Sequence, residues 1–308
     1  MQIYMAPLEG VTGFVFRNAY AKYYGGVDKY FTPFITPHTK KNMDERERRD
    51  ILPDNNKGIN LVPQVLTNKS EELISISKEL ADYGYQEINL NIGCPSRTVT
   101  AKGKGSAFLE HPEELEQFFE DYFAKSDVPL SIKTRMGMWD MEEFPRLREI
   151  FEKFPFTEVI IHARLGSEFY SGTPHQDAFA QYGADSRHSL CYNGDILTRG
   201  QLEKIDSSWS FCDNYMIGRG LIKNPAMLQE GKNSPYQDLK TFRLFHDAIL
   251  TGYQGYLCGD RPTIMHMKEL WSYWAGNFPG QEKRLKQIKK SNHMEEYKIA
   301  VTQLLQGD

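Results

Sequence analysis

The stretch Glu87-Ile-Asn-Leu-Asn-Ile-Gly-Cys-Pro-Ser96 reads as a buried strand that ends abruptly in a loop. Its first five residues form a short β-prone run, and Gly93 and Pro95 then punctuate the chain. Pro95 also holds Cys94 in an extended conformation, which suits a loop leaving a strand. Working outward, similar runs fall at 3–6, 30–35, 60–66, 130–134, 158–162, 190–193 and 214–217, eight in all. Between them lie polar segments with apolar residues at helical spacing, such as Leu73, Ile76, Leu80 and Tyr83, or Leu115, Phe118, Phe119, Tyr122 and Phe123. Each interval has room for a loop and one helix. Eight such β-α units imply a closed parallel (β/α)8 TIM barrel.

The widest interval contains residues 93–108, rich in Gly, Lys and Ser, and reads as a long functional loop. After Pro225 the β-like runs stop. Helical patterns at 239–256, 262–278 and 281–306 imply a small all-helical carboxy-terminal domain. The boundary is expected within 231–235, giving a barrel over 1–233 and a helical domain over 234–308. The aromatics Trp271, Tyr273, Trp274 and Phe278 read as filling of that domain's core.

Composition excludes several classes. The chain has 308 residues, 40% of them hydrophobic and 25% charged, values of a globular protein rather than a disordered one. No signal-peptide pattern and no membrane-length apolar stretch occur, so a cytoplasmic protein is expected. Cys94, Cys191, Cys212 and Cys258 form no Cys-x-x-Cys pair, which suggests neither zinc nor a disulfide framework. A net charge of -4 gives no global attraction to nucleic acid, so any RNA contact must be local. Lys283, Arg284, Lys286, Lys289 and Lys290 form one such patch, equally readable as a solvated helix face.

In a parallel barrel the residues just after each strand gather at one mouth. Here those residues are Pro7 and Glu9, Gln64, Asn91 and Cys94, Lys133 and Arg135, His162 and Arg164, Asn193, Gly194 and Asp195, and Gly218 and Arg219. The glycines after the last two runs, with Arg219, suit a phosphate. Lys133 suits the negative charge that a reduced flavin places near N1 and the C2 carbonyl. Gln64 and Asn193 carry amides that match a flavin or base edge. Pro-Leu-Glu-Gly after the first run carries no dinucleotide fingerprint, so a Rossmann domain is not expected and a nicotinamide donor would visit the same mouth.

Taken in order, these blocks resemble the tRNA-dihydrouridine synthase family. They are Met5-Ala-Pro-Leu-Glu-Gly-Val-Thr12 with Arg17, Asn89 to Ser96, Lys133-Thr-Arg-Met-Gly137, Ile161-His-Ala-Arg164, Tyr192-Asn-Gly-Asp-Ile196 and Ile217-Gly-Arg-Gly220. The resemblance covers roughly residues 1 to 230 and implies an FMN barrel with a helical tRNA-binding domain. It implies that Pro7, Leu8 and Glu9 line the flavin and that Gln64 and Lys133 contact its ring. His162, Asn193, Gly194, Asp195, Gly218 and Arg219 would hold its ribityl phosphate end. Cys94 would donate a proton to C5 of uracil after flavin N5 delivers hydride to C6, with NADPH, or NADH, as transient reductant. Asn91 and Arg164 would hold the uracil. Loop placement and charge, rather than the resemblance, make Lys102, Lys104, Lys283, Arg284 and Lys286 the candidates for gripping the tRNA. The enzyme is expected to be a monomer.

The thiol suits an acid because an unperturbed cysteine is mostly protonated at neutral pH. Read without its flanking motif, Cys94 would be a small buried hydrophobe. The blocks Glu-Gly-Val (9–11) and Cys94 to Val99 look most like the branch acting on U16 of the D-loop. Two rival readings are an FMN barrel reducing a small pyrimidine or enoate, and a non-catalytic RNA-binding barrel.

Overall fold

The computed structural model describes residues 1–37, 41–229 and 238–306. Its strands are β1 (Gln2–Met5), β2 (Lys29–Phe31), β3 (Leu61–Val62), β4 (Gln64–Val65), β5 (Ile88–Ile92), β6 (Leu130–Arg135), β7 (Val159–His162), β8 (Leu190–Asn193) and β9 (Asn214–Ile217). They form a single parallel sheet in the order β3-β2-β1-β9-β8-β7-β6-β5-β4. The two ends of that order, β3 and β4, are consecutive in sequence and separated only by Pro63.

The third expected strand is therefore one strand broken in two, and it closes the barrel. Proline has no N–H to give a ladder and interrupts a central strand. The break is mended from both sides. Thr32 N–H donates to the Val62 carbonyl at 3.2 Å, Gln64 N–H to Thr32 Oγ1 at 2.9 Å, Ile35 N–H to the Gln64 carbonyl at 2.8 Å, and Asn89 N–H to the Pro63 carbonyl at 2.9 Å. The eight-stranded TIM barrel expected from the sequence is what the chain forms.

The helices are α1 (Phe14–Tyr23), α2 (Glu45–Ile51), α3 (Ser70–Asp82), α4 (Arg97–Thr100), α5 (Pro112–Lys125), α6 (Phe144–Phe151), α7 (Gln176–Gly183), α8 (Arg199–Asp206), α9 (Arg219–Lys223), α10 (Leu239–Gln254), α11 (Asp260–Trp274), α12 (Glu282–Lys290) and α13 (Met294–Leu305). The barrel's outer helices bury the faces expected of them, for example Leu73, Ile76 and Leu80 of α3. Inside the barrel, alternate strand residues form a separate apolar layer of Tyr4, Ala6, Phe31, Val62, Ile160, Cys191 and Met216. Glu158 lies at the amino-terminal end of β7, where it accepts hydrogen bonds from Tyr4 Oη at 2.9 Å and Asn214 Nδ2 at 2.7 Å.

Two expectations need correction. Residues 93–108 are not an open loop: α4 and a 3-10 turn at Gly105–Glu110 fold the segment back onto the carboxyl end of β5. The pattern at 281–306 is not one helix but two, because Glu296 at the start of α13 accepts the Asn292 and His293 N–H groups and caps a new helix there. The expected domain boundary at 233/234 lies outside the described residues.

The carboxy-terminal helices pack on the first helix and on the end of the barrel. Phe245 of α10 meets Phe16 edge-on at 5.6 Å, and Trp274 Nε1 of α11 donates to the Ile222 carbonyl at 3.0 Å. Among the described residues no helix is long and apolar enough to cross a membrane.

Candidate active site

The carboxyl ends of the strands enclose a cavity of about 530 Å³, within the size range of ligand sites. It gathers Pro7, Leu8, Glu9, Gln64, Asn91, Cys94, Lys133, His162, Asn193, Gly194, Asp195, Gly218 and Arg219, expected separately from seven segments of sequence. Alternation brings them together. Lys133 and Arg135 sit two and four residues beyond Ser131, and Asn91 two beyond Asn89, so each strand sends successive alternate residues inward.

A chain of amides crosses the floor. Asn89 Nδ2 donates to Ser131 Oγ at 2.9 Å, Gln64 Nε2 to Asn89 Oδ1 at 2.8 Å, and Asn91 Nδ2 to Gln64 Oε1 at 2.7 Å. Asn91 Oδ1 in turn accepts the backbone N–H groups of Gly93 at 3.1 Å and Cys94 at 2.9 Å. The side chain expected to hold a base thus fixes the turn that carries the thiol, with one amide hydrogen left over.

The same turn is gripped from behind. Ser106 donates its N–H at 3.0 Å and its hydroxyl at 3.2 Å to the Cys94 carbonyl. Gly105 has φ +62°, and a Cβ there would stand 2.4 Å from the Cys94 carbonyl oxygen, so glycine is required twice over. Cys94 is half-buried. Burial pushes its thiol up from the ordinary value, while the Ser96 N–H, Lys133 and Arg135 oppose that only in part. The thiol stays protonated at neutral pH.

Lys133 is half-buried in the cavity wall, and among the described residues its ammonium has no hydrogen-bond or ion-pair partner. Burial and the neighbouring Arg135 lower it to about 8. His162 is driven well below its usual value by burial and by Arg135, Lys133, Arg164 and Arg219. It is neutral, and because its Nε2 lies 3.2 Å from the Arg164 guanidinium, which can only donate, the ring proton is assigned to Nδ1.

Arg164 does not line this cavity. It is fully buried beneath it, donating to the Ser171 carbonyl at 2.8 Å, the Gly172 carbonyl at 2.6 Å, His162 and Asp195. Nothing in this placement supports the expectation that it holds a base, since four of its N–H groups are donated within the protein. Asp195 also accepts from Arg219 at 2.7 Å, and although burial opposes it, the two guanidiniums hold the carboxyl below its usual range. Arg17, part of the first block, is likewise buried, bonded to Asp50, Asn56 and the Thr12 carbonyl.

The glycines answer to the protein first. A Cβ at Gly220 would meet the Ile196 carbonyl at 2.2 Å and one at Gly194 the Tyr192 hydroxyl at 2.7 Å. Glu9 forms an exposed ion pair with Arg46 at 2.8 Å. Lys102, Lys104, Lys283, Arg284 and Lys286 lie outside the cavity's lining. Lys104 leans toward Glu72, 3.8 Å away, whereas Lys283 and Lys286 are exposed on α12.

Arg135, Tyr170 and Tyr273 also line the cavity, and the sequence assigned none of them a part in its chemistry. Arg135 donates to the Gly93, Leu165 and Phe169 carbonyls at 2.9, 2.6 and 2.6 Å, tying the loop after β7 to the barrel. That loop presents Tyr170 with guanidiniums of Arg135 and Arg219 at 5.5 and 5.0 Å from its ring. Tyr273 of α11, expected with its neighbours to fill the core, instead reaches the cavity from the helical part, while Trp271, Trp274 and Phe278 are buried in the core as expected. A signal for Arg135 existed, since it lies two residues beyond Lys133 on the same face; none existed for the tyrosines.

An unpaired cation, an amide edge and a second cation beside the glycine turns together make a site that fits a phosphate-bearing, anionic ring system such as FMN.

The sequence profile described as "Dihydrouridine synthase (Dus)" matches residues 4–300. A protein of Staphylococcus epidermidis named "Probable tRNA-dihydrouridine synthase" is 28% identical over 277 residues, 86% of this chain and 81% of its own. The protein of Pasteurella multocida named "tRNA-dihydrouridine synthase B" is 27% identical over 230 residues, 74% of this chain and 68% of its own.

Proposed function

The chain belongs to the dihydrouridine synthase family, and from that premise we propose that it reduces the C5–C6 double bond of a uridine in the D-loop of tRNA. As a family member it is a flavin-dependent oxidoreductase that acts on tRNA. The finer reading is that FMN is the bound cofactor, NADPH the reductant, Cys94 the acid and U16 the target. The observation that carries the cofactor and the acid is a thiol raised by burial and an unpaired ammonium lining one cavity, while U16 rests on the likeness of residues 9–11 and 94–99 to that branch.

FMN, when bound, supplies a hydride received from the nicotinamide to C6 of the base. Everything else falls to the protein. Lys133 balances negative charge on the cofactor's ring, and Gln64 meets its polar edge. Arg219 and the turns at Asn193, Gly194, Asp195 and Gly218 hold the phosphate end, with neutral His162 donating from Nδ1. Pro7 and Leu8 cover the ring, and Glu9 stands at the rim. Cys94 gives its proton to C5, and the thiolate left behind regains one from solvent. Asn91 positions that thiol and has one N–H for the base. Arg164 acts as a positioning residue beneath His162 and Asp195.

The target base must leave its stack to reach this depth. Residues 234–308 are proposed as the tRNA-binding part, with Lys283, Arg284 and Lys286 on phosphates and Lys102 at the rim. Lys104 joins them only by leaving Glu72.

The test is a flavin spectrum of the purified protein, followed by mapping of dihydrouridine in tRNA from cells with and without it. A colourless protein that FMN cannot reconstitute would refute the reading. Dihydrouridine at a position other than 16 would move the target while keeping the chemistry.

A further inference from the structure

A second cavity of about 520 Å³ adjoins the first, and Glu9, Pro33 and Phe34 line both. Its far wall comes from α2, α10 and α11. We propose that it receives the base and phosphate of the nucleotide next to the target uridine in the substrate RNA, a proposal that rests on the functional reading above.

The wall has the chemistry of a nucleotide site. The Arg49 guanidinium lies 5.3 Å from the centre of the Tyr256 ring, and among the described residues it has no carboxylate or hydrogen-bond acceptor. His266 stacks on Tyr253 with ring centres 4.7 Å apart and planes 13° from parallel. Tyr253 is buried beneath His266, so the half-buried His266 and Tyr256 are the rings left to stack on a base of any sequence, and a guanidinium without an acceptor takes a phosphate.

The acidic residues of the wall do not oppose this. Asp44 accepts the Glu47 N–H at 2.8 Å, Glu47 the N–H groups of Asp44 and Thr36 at 2.8 and 2.9 Å, and Asp50 the Phe14 N–H and Arg17. Glu9 is held by Arg46. What remains to meet a ligand is cationic and aromatic.

Continuity selects the occupant. The two cavities share a wall three residues wide, so a strand with one base in the first has its neighbour beside the second. The reductant's adenosine phosphate has similar chemistry, and the experiment separates the two.

The full-length flavoprotein and an Arg49→Ala/Tyr256→Ala variant are compared on intact tRNA and on tRNAs made abasic on either side of the target. In the wild type, one abasic neighbour should raise KM for tRNA about tenfold. The variant should show that rise already on intact tRNA and no further rise on that abasic tRNA, a non-additive cycle. KM for NADPH and flavin reduction without RNA should not change.

Equal abasic penalties in both proteins would overturn the proposal. A rise in KM for NADPH would also overturn it and give the cavity to the reductant. Arg49→Lys/Tyr256→Phe, which keeps charge and ring, should behave as wild type. If the double alanine variant loses flavin or melts early, Tyr256→Leu, which removes the ring meant for the base and keeps an apolar side chain, carries the same cycle. Gel-shift affinities of the same pairs repeat it without turnover, so a wild type that made no dihydrouridine would refute the functional reading while the subsite was still being tested.

Discussion

The backbone N–H of Cys94 ends on Oδ1 of Asn91, 2.9 Å away, so the turn that carries the thiol is anchored to the strand as well as to Ser106 of its own loop.

Cys94→Ala should bind flavin and accept reduction by NADPH normally while uracil reduction falls by roughly 10²–10⁴-fold, the usual scale of a lost general acid. Asn91→Ala should do something different. It leaves the Gly93 and Cys94 N–H groups without an acceptor and should cost about 1–3 kcal/mol of stability as well as rate. Urea unfolding and single-turnover reduction of tRNA distinguish the two. Loss of flavin from Cys94→Ala would make the cysteine structural.

The pH dependence has a definite sign. Burial raises the Cys94 thiol, and the acid form is the one required. The rate of uracil reduction by pre-reduced enzyme should therefore hold steady through neutral pH and fall only above the ordinary thiol range, about tenfold per unit. A fall beginning below pH 7 would show that another group supplies the proton.

Lys133 gives a second profile. Its pKa of about 8 lies below the ordinary lysine value, so the cation is complete only at lower pH. Affinity of the apoprotein for FMN should be greatest below pH 8 and should weaken as pH rises through the lysine's bound-state value. Lys133→Met should bind more weakly, with that dependence gone. Fluorescence titration of FMN reads both, and an unchanged profile would remove Lys133 from the cofactor.

Arg164→Ala should act through stability. Removing a fully buried guanidinium leaves His162 Nε2 and the Ser171 and Gly172 carbonyls without their donor and Asp195 with Arg219 alone, a loss of about 1–3 kcal/mol. A folded, stable variant with only KM for tRNA raised would restore the direct contact with the base.

Reversing Lys283, Arg284 and Lys286 together should reduce the slope of log affinity for tRNA against log salt by roughly 0.7–0.9 for each phosphate no longer neutralised. A slope equal to the wild type's would place the RNA on another face.

The sequence made the barrel readable because strand ends announce themselves: Gln64, Lys133, His162 and Asn193 lie near the ends of short apolar runs, and Pro7, Cys94 and Gly218 just after them. It could not say which way a strand-end arginine turns. Arg164 and Arg135 look alike in sequence and both end buried, yet Arg135, bound to the Leu165 and Phe169 carbonyls, borders the cavity, whereas Arg164, bound to those of Ser171 and Gly172, lies beneath it. Tyr170 and Tyr273 were hidden for another reason, since a loop tip and a helix face acquire meaning only when folded over the mouth. The break at 291–293 was local chemistry outvoting apolar spacing, through the Glu296 cap.

Finally, β1 pairs with β9, Gln2 opposite Asn214 and Met5 opposite Ile217. On the ribosome, the first strand made must wait for the last. At roughly 5–20 residues per second it stays unmatched on that side for on the order of 10–40 s. Tyr273 is made later still, so the wall it gives the pocket can be added only after the barrel's strands are all present.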